Sequence, residues 1–282
     1  MTARFIEDLD PHFSPFHPLI AETEAPSDPF VCLRMDRDAL RLSPSSWPSR
    51  LFGIVTAIWV TVALCLGILG PISNLPILEH SARNLYFHVP MWFVLYAFAL
   101  VGAFHSLRYL ATGRQLADVR AEQAWLVSTG AGIVAMLTGI VWSRFTWYTG
   151  TTIWWNGDPR QTMVAVQLLI GGAYFLLRGS LDDPRQRGRL SAVYALFATA
   201  TMPFLTYVLP RREESLHPGA EGNPAFSQMD IAPEMRWVFY ASAIGFLMLG
   251  TWMYRLRVRS RVVELRAEAH ANASPAPTAI VS

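Results

Sequence analysis

The chain contains no lysine; its 23 basic side chains are all arginine. That bias reflects base composition, and no chemistry is drawn from it. Charge of either sign is scarce as well: charged residues make up 16% of the 282 positions, where a soluble domain carries about a quarter. An ordinary soluble domain is thereby disfavoured. Only two cysteines occur, Cys32 and Cys65. They form neither a Cys-x-x-Cys pair nor a Cys-x-x-Cys-His run, which excludes a thiol–disulfide motif and attachment of a cofactor through paired cysteines. The first apolar run begins only after 50 residues of mixed polarity, too far in for a signal peptide.

What is present is apolar: 52% of the chain, concentrated in six runs close to the roughly 20 residues that a helix needs to cross a bilayer core. They lie near Leu51 to Gly70, Leu85 to Tyr109, Trp125 to Ser143, Thr162 to Leu177, Leu190 to Leu209 and Trp237 to Tyr254. Backbone polar groups must be satisfied inside lipid, so the expected fold is all-α, six transmembrane helices in a bundle. With both termini cytoplasmic, 17 arginines fall inside and six outside, namely Arg83, Arg144, Arg160, Arg211, Arg212 and Arg236, in keeping with the positive-inside rule. Three regions follow. Residues 1–50 form a cytoplasmic tail expected to be disordered, 51–257 the membrane domain, and 258–282 a basic cytoplasmic tail expected to be disordered.

Within that frame the polar stretches Thr112 to Ala124 and Arg178 to Arg189 are expected as solvated inner connections. Pro90 suits the first turn of the second helix, and Pro203 should kink or end the fifth. Gly130, Gly132 and Gly139 are small positions that let helices approach. The Arg255, Arg257, Arg259, Arg261 and Arg266 cluster is expected to be a stop-transfer anchor attracted to anionic lipid; nothing points to nucleic acid.

The most informative stretch is Trp154-Trp155-Asn156-Gly157-Asp158-Pro159-Arg160-Gln161-Thr162, preceded by Trp147 and Tyr148. An interfacial aromatic belt would account for the tryptophans. It does not ask for Asp158 and Arg160 directly behind them, so belt and ligand platform stand level. His88 lies at the outer mouth of the second helix and His217 in the long outer segment after the fifth. Alone, each is an unremarkable interfacial or loop histidine; the topology puts both on the face that carries the tryptophan-rich loop. His105 falls about 25 Å further along the helix from His88 and is expected to be a snorkelling or hydrogen-bonded residue. His80, His12 and His17 are expected to be solvated. Two imidazoles, aromatic faces and a guanidinium make a plausible haem site, since imidazole is a good axial iron ligand and arginine pairs with carboxylates. A structural zinc site wants four Cys or His ligands, and the outer face offers three histidines.

In their order, Tyr86-Phe87-His88-Val89-Pro90, the Trp-rich Asp158-Pro159-Arg160-Gln161-Thr162 loop and Leu216-His217-Pro218-Gly219 resemble the cytochrome c maturation protein C (haem exporter protein C, CcmC) family. This family belongs to the Trp-Trp-Asp-loop haem-handling superfamily that also contains CcsA. The resemblance covers Leu51 to Arg257. It implies haem b held on the periplasmic face with His88 and His217 as axial iron ligands, Trp154 and Trp155 packing the macrocycle, and Asp158, Arg160 and Thr162 as the family's Asp-x-Arg-x-Thr, with no catalytic residue. It further implies a multi-pass protein of the bacterial inner membrane that delivers haem to a periplasmic haem chaperone (cytochrome c maturation protein E-like) with ABC transporter subunits of the maturation system. The loop departs from the family pattern at Thr151-Thr152, Gly157 and Pro159, so either Trp147 and Tyr148 rebuild the platform or haem contact is weaker. Two other readings stand beside this one. A CcsA-type haem lyase component generally has extra helices or a large partner domain, and a haem-free permease predicts polar residues in mid-span, which are sparse here.

Overall fold

In the computed structural model, residues 47–72, 79–147, 152–155, 157–217 and 231–273 are described. The expected N-terminal tail up to residue 46, Tyr148 and the chain after Ala273 lie outside them. The six apolar runs form α1 (Trp47–Leu69), α2 (Leu85–Thr112), α3 (Gln115–Thr146), α4 (Pro159–Gly179), α5 (Pro184–Pro203) and α6 (Pro233–Ala273). Each run is long and apolar enough to cross a membrane, and the described residues contain no strand. The fold is therefore an all-α, six-helix membrane bundle.

Helix ends follow local chemistry. Gly113 closes α2 in the left-handed region at φ 64°, its N–H bonded to the Tyr109 carbonyl, the conformation that favours glycine at a helix C-terminus. Asp-Pro opens both α4 and α5. Asp158 and Asp183 are the N-caps, accepting from the backbone N–H groups of Arg160 and Gln186, and Pro159 and Pro184 take the first helical position, where the missing proline N–H costs nothing. As expected, Pro203 ends α5; a π-helical segment, Phe204–Val208, and a 3-10 turn, Leu209–Arg211, follow it.

α2 is the central helix, packed on α3 along most of its length and also on α5 and α6, while α1 rests on α6 and α4 bridges α3 and α5. Small residues permit this. A Cβ on Gly102 would come within 2.9 Å of the Trp125 indole nitrogen, so Trp125 seats in the notch and stacks on Tyr174 of α4 with centroids 5.5 Å apart. Ser128 of α3 donates to the Leu95 carbonyl of α2 at 2.7 Å. Outward-facing Leu169 and Leu176 are left 74% and 77% exposed, as lipid-facing side chains would be.

Five expectations need correction. Thr112 to Ala124 is almost entirely helix, because Asp118 and Glu122, one turn apart on α3, face Arg178 of α4 instead of solvent. Arg178, expected in a solvated turn, is buried. It donates to both Asp118 oxygens at 2.8 and 2.6 Å and approaches Glu122 at 3.0 Å. Pro90 lies in the second turn of α2, since the 3-10 turn Glu79–Asn84 runs straight into the helix and Asn84 is already helical. α6 continues past Tyr254 to Ala273, as Val258, Val262 and Leu265 are buried and Arg257 donates to Gln123 at 2.9 Å. His105 is buried with its Nδ1 lacking a partner among the described residues, rather than snorkelling.

The Arg178 trio yields a prediction. Arg178→Gln leaves Asp118 and Glu122 facing each other without their cation and should cost about 3 kcal/mol of stability, read as a lower thermal midpoint in detergent. An unchanged midpoint would show that the trio contributes nothing net.

Candidate functional site

At the α3–α4 end of the bundle the helices part around a cavity of about 400 Å³, within the range of small-molecule sites. α2 supplies a stripe at helical spacing, His88, Trp92 and Tyr96 with Val89 and Phe93 beside them; α3 adds Met136, Gly139, Trp142 and Trp147. Arg160 and Gln161 enter from the first turn of α4, Thr206, Tyr207 and Arg211 from the segments after α5, and His217 from the chain beyond. The walls are mainly aromatic and aliphatic, and among the described residues no carboxylate lines them. Tyr96 and Thr206 join hydroxyls across the floor.

His88 is buried, and its surroundings settle its tautomer. The Trp92 indole N–H, which can only donate, bonds to His88 Nε2 at 3.2 Å. Nδ1 therefore carries the proton and donates to Thr138 Oγ1 at 3.1 Å; that hydroxyl in turn donates to the Val134 carbonyl at 2.8 Å. Gly139 makes room for the ring, since a Cβ there would lie 2.9 Å from His88 Cε1. Trp142 meets His88 edge-on at 6.2 Å and is itself fixed by donating to Ser81.

His217 stands opposite, its ring centre 6.4 Å from that of His88 and the planes inclined by 41°. Arg160 Nη1 lies 3.4 Å from His217 Nδ1; a guanidinium can only donate, so this nitrogen presents its lone pair to Arg160. Trp147 meets His217 edge-on at 6.2 Å. The segment is held by Asp158, which is 4% exposed. Its carboxylate accepts from Ser215 Oγ at 2.9 Å, from the Leu216 N–H at 3.1 Å and from the Arg160 N–H at 2.9 Å. Ser215 Oγ also accepts from the His217 N–H.

The structure thus brings His88, His217 and Arg160 to one cavity, with Asp158 directly behind. Trp154 and Trp155 do not line it: they are 52% and 40% exposed, and Arg144 lies over the Trp154 ring at 5.7 Å. Thr162 is one turn into α4, its N–H bonded to the Asp158 carbonyl and its hydroxyl buried outside the cavity lining. Of the two residues expected to rebuild the platform, Trp147 reaches the cavity and Tyr148 falls outside the described residues. Sequence reasoning missed Trp92 and Trp142, and read Gly139 as a helix-packing position without connecting it to His88. Trp92 had a legible signal, four residues after His88 and so on the same helix face; Trp142 and Gly139 depend on how α3 packs against α2. Among the described residues no three His, Cys, Asp or Glu side chains converge as metal clusters do. Two imidazoles facing each other inside aromatic walls, with Arg160 and Arg211 beside them, suit instead a flat apolar molecule that carries acid groups and offers a metal with two open axial positions.

The family described as Heme exporter protein C matches residues 37–273. The chain is 29% identical over 187 residues to the Heme exporter protein C of Escherichia coli (strain K12), covering 65% of this chain and 71% of that one. It is 24% identical over 189 residues to the protein of the same name from Paracoccus denitrificans, covering 67% and 76%, and 24% identical over 187 residues to that from Bradyrhizobium diazoefficiens, covering 66% and 68%. The match takes in all six helices and both histidine segments, and the chain belongs to the Heme exporter protein C family.

Proposed function

We propose that this protein carries haem b in the cavity between His88 and His217 and passes it on during c-type cytochrome biogenesis. The observation that carries this reading is the opposition of two imidazoles across one aromatic cavity. Imidazoles bound to one metal from opposite sides, at about 2 Å per bond, have ring centres about 6 Å apart, and the observed 6.4 Å agrees. Arg160 and Arg211 offer charge-assisted hydrogen bonds to propionates. Trp92, Trp142 and Trp147 pack the macrocycle from within, while Trp154 and Trp155 stand outside, available to cover its exposed edge. Asp158 keeps Arg160 and His217 in register, and Thr162 completes the Asp-x-Arg-x-Thr turn. Haem here is cargo, and no side chain has a catalytic role.

Each imidazole nitrogen that would meet the iron has a hydrogen-bonding neighbour within the protein. The Trp92 N–H bonds to the lone pair of His88, and Arg160 faces that of His217. Loading then exchanges bonds: Arg160 moves to a propionate while each histidine gains the iron, and unloading runs in reverse. Such exchange makes binding firm and reversible, as delivery requires. The excess of arginine on the side of both termini supports a cavity on the periplasmic face of a bacterial inner membrane. In this reading 51–257 is the haem-handling domain, the regions 1–50 and 258–282 are cytoplasmic, and the acceptor is a periplasmic haem chaperone of the cytochrome c maturation protein E type working with ABC transporter subunits.

Purified in detergent after expression with ample haem, the protein should show sharp low-spin absorption bands that collapse in His88→Ala and in His217→Ala. A haem-free protein, or a spectrum indifferent to both substitutions, would sink the ligand assignment. Trp92→Phe keeps an apolar ring but removes the competing N–H. Haem should then leave about fivefold more slowly, the worth of one hydrogen bond, when an excess of apoglobin is added as scavenger. An equal or faster release would remove Trp92 from the exchange.

A further inference from the structure

A second cavity lies at the opposite end of the bundle, where the chain enters α1 and where the apolar part of α6 ends. It measures about 320 Å³ and is lined by two matching stripes: Arg50, Gly53, Ile54 and Ala57 of α1, and Trp252, Arg255, Leu256 and Arg259 of α6. Each stripe follows the i, i+3, i+4, i+7 spacing of one helix face. The two helices can approach because position 53 is glycine; a Cβ there would stand 3.1 Å from the Trp252 indole nitrogen. Arg255 lies over the Phe52 ring at 5.3 Å.

The groove is amphipathic along its length. Its floor is Trp252, Phe52 and Ala57, and its rim carries Ile54 and Leu256, 58% and 48% exposed toward the lipid side. Among the described residues its mouth holds three guanidiniums and no carboxylate. Two other arginines at this end are ion-paired, Arg178 with Asp118 and Glu122 and Arg261 with Glu264 and Glu268. By contrast, none of the acidic side chains that form ion pairs reaches Arg50, Arg255 or Arg259. Three cations with no ion pair among the described residues, above an apolar cleft at the point where two membrane-spanning segments leave the bilayer core, match one ligand chemistry: a phosphate attached to acyl chains.

We infer that this groove binds an anionic phospholipid, the phosphate held by Arg50, Arg255 and Arg259 and one acyl chain lying along Ile54, Ala57 and Leu256 in the cleft floored by Trp252. The site is independent of the haem reading, since no residue is shared with the cavity around His88. Its consequence is that α1, which is held in the bundle by α6, is clamped to that helix from the membrane side by a lipid.

The test is native mass spectrometry of the full chain transferred from vesicles that contain phosphatidylglycerol and phosphatidylcholine in equal amounts. Phosphatidylglycerol should stay bound in preference, and Arg255→Gln or Arg259→Gln should lower its retention about fivefold each, with little change in Arg189→Gln, which removes an equal charge outside the groove. No preference between the two lipids, or the same loss in Arg189→Gln, overturns the proposal. Displacement of the lipid by inorganic phosphate also overturns it, as the groove would then take free phosphate. The haem spectrum recorded on the same samples keeps the two sites separate, because loss of lipid with unchanged bands bears on this groove alone.

Discussion

One buried carboxylate sets the geometry of the end of the bundle where His88 and His217 face each other. Asp158 caps α4 and at the same time receives the hydroxyl of Ser215 and the N–H of Leu216, groups 57 and 58 residues away in sequence. A carboxylate so placed must be fully hydrogen-bonded, because an unsatisfied buried charge is costly. The segment leading to His217 is not helical at this point, so it has no ladder of its own to hold it. Asp158 substitutes for that ladder. Arg160, two residues on, is aimed by the same helix start, so the histidine and the arginine share one anchor.

The two imidazoles are fixed by different means. His88 belongs to a helix and is locked by Thr138, Trp92 and the space above Gly139, all of them regular parts of α2 and α3. His217 depends on side-chain bonds from another element. A site built this way has one wall fixed by helix packing and one wall tethered by side-chain bonds.

Much of this could be read from the residues alone. The six helices, their order and the end of α5 at Pro203 follow from hydropathy and helical spacing; the loop order put His88, His217 and Arg160 on one face, and the resemblance supplied their pairing. The tryptophans were legible as a composition but not as a placement. Gly157 adopts φ 80°, and the Gly157-Asp158-Pro159 turn it permits leaves Trp154 and Trp155 outside the cavity, whereas Trp92, Trp142 and Trp147 enter it from helices. Hydropathy also hid the start of α3 and the burial of Arg178. A charged stretch scores as solvated whether its charges meet water or one another, and Asp118, Glu122 and Arg178 meet one another.

The π-helical segment Phe204–Val208 has a consequence of its own. Its hydrogen bonds span one residue more than those of an α-helix, so every side chain after it is turned by about 100° from the direction a continuous α-helix would give. Thr206 and Tyr207 line the cavity from within the segment, and the rotation sets the direction in which Arg211 enters it. Deleting one residue here would leave a span of sufficient length and hydropathy, equally acceptable to the bilayer, yet it would point Arg211 elsewhere. The membrane and the cavity thus depend on different properties of the same stretch: the bilayer on how long and how greasy it is, the cavity on its angular phase.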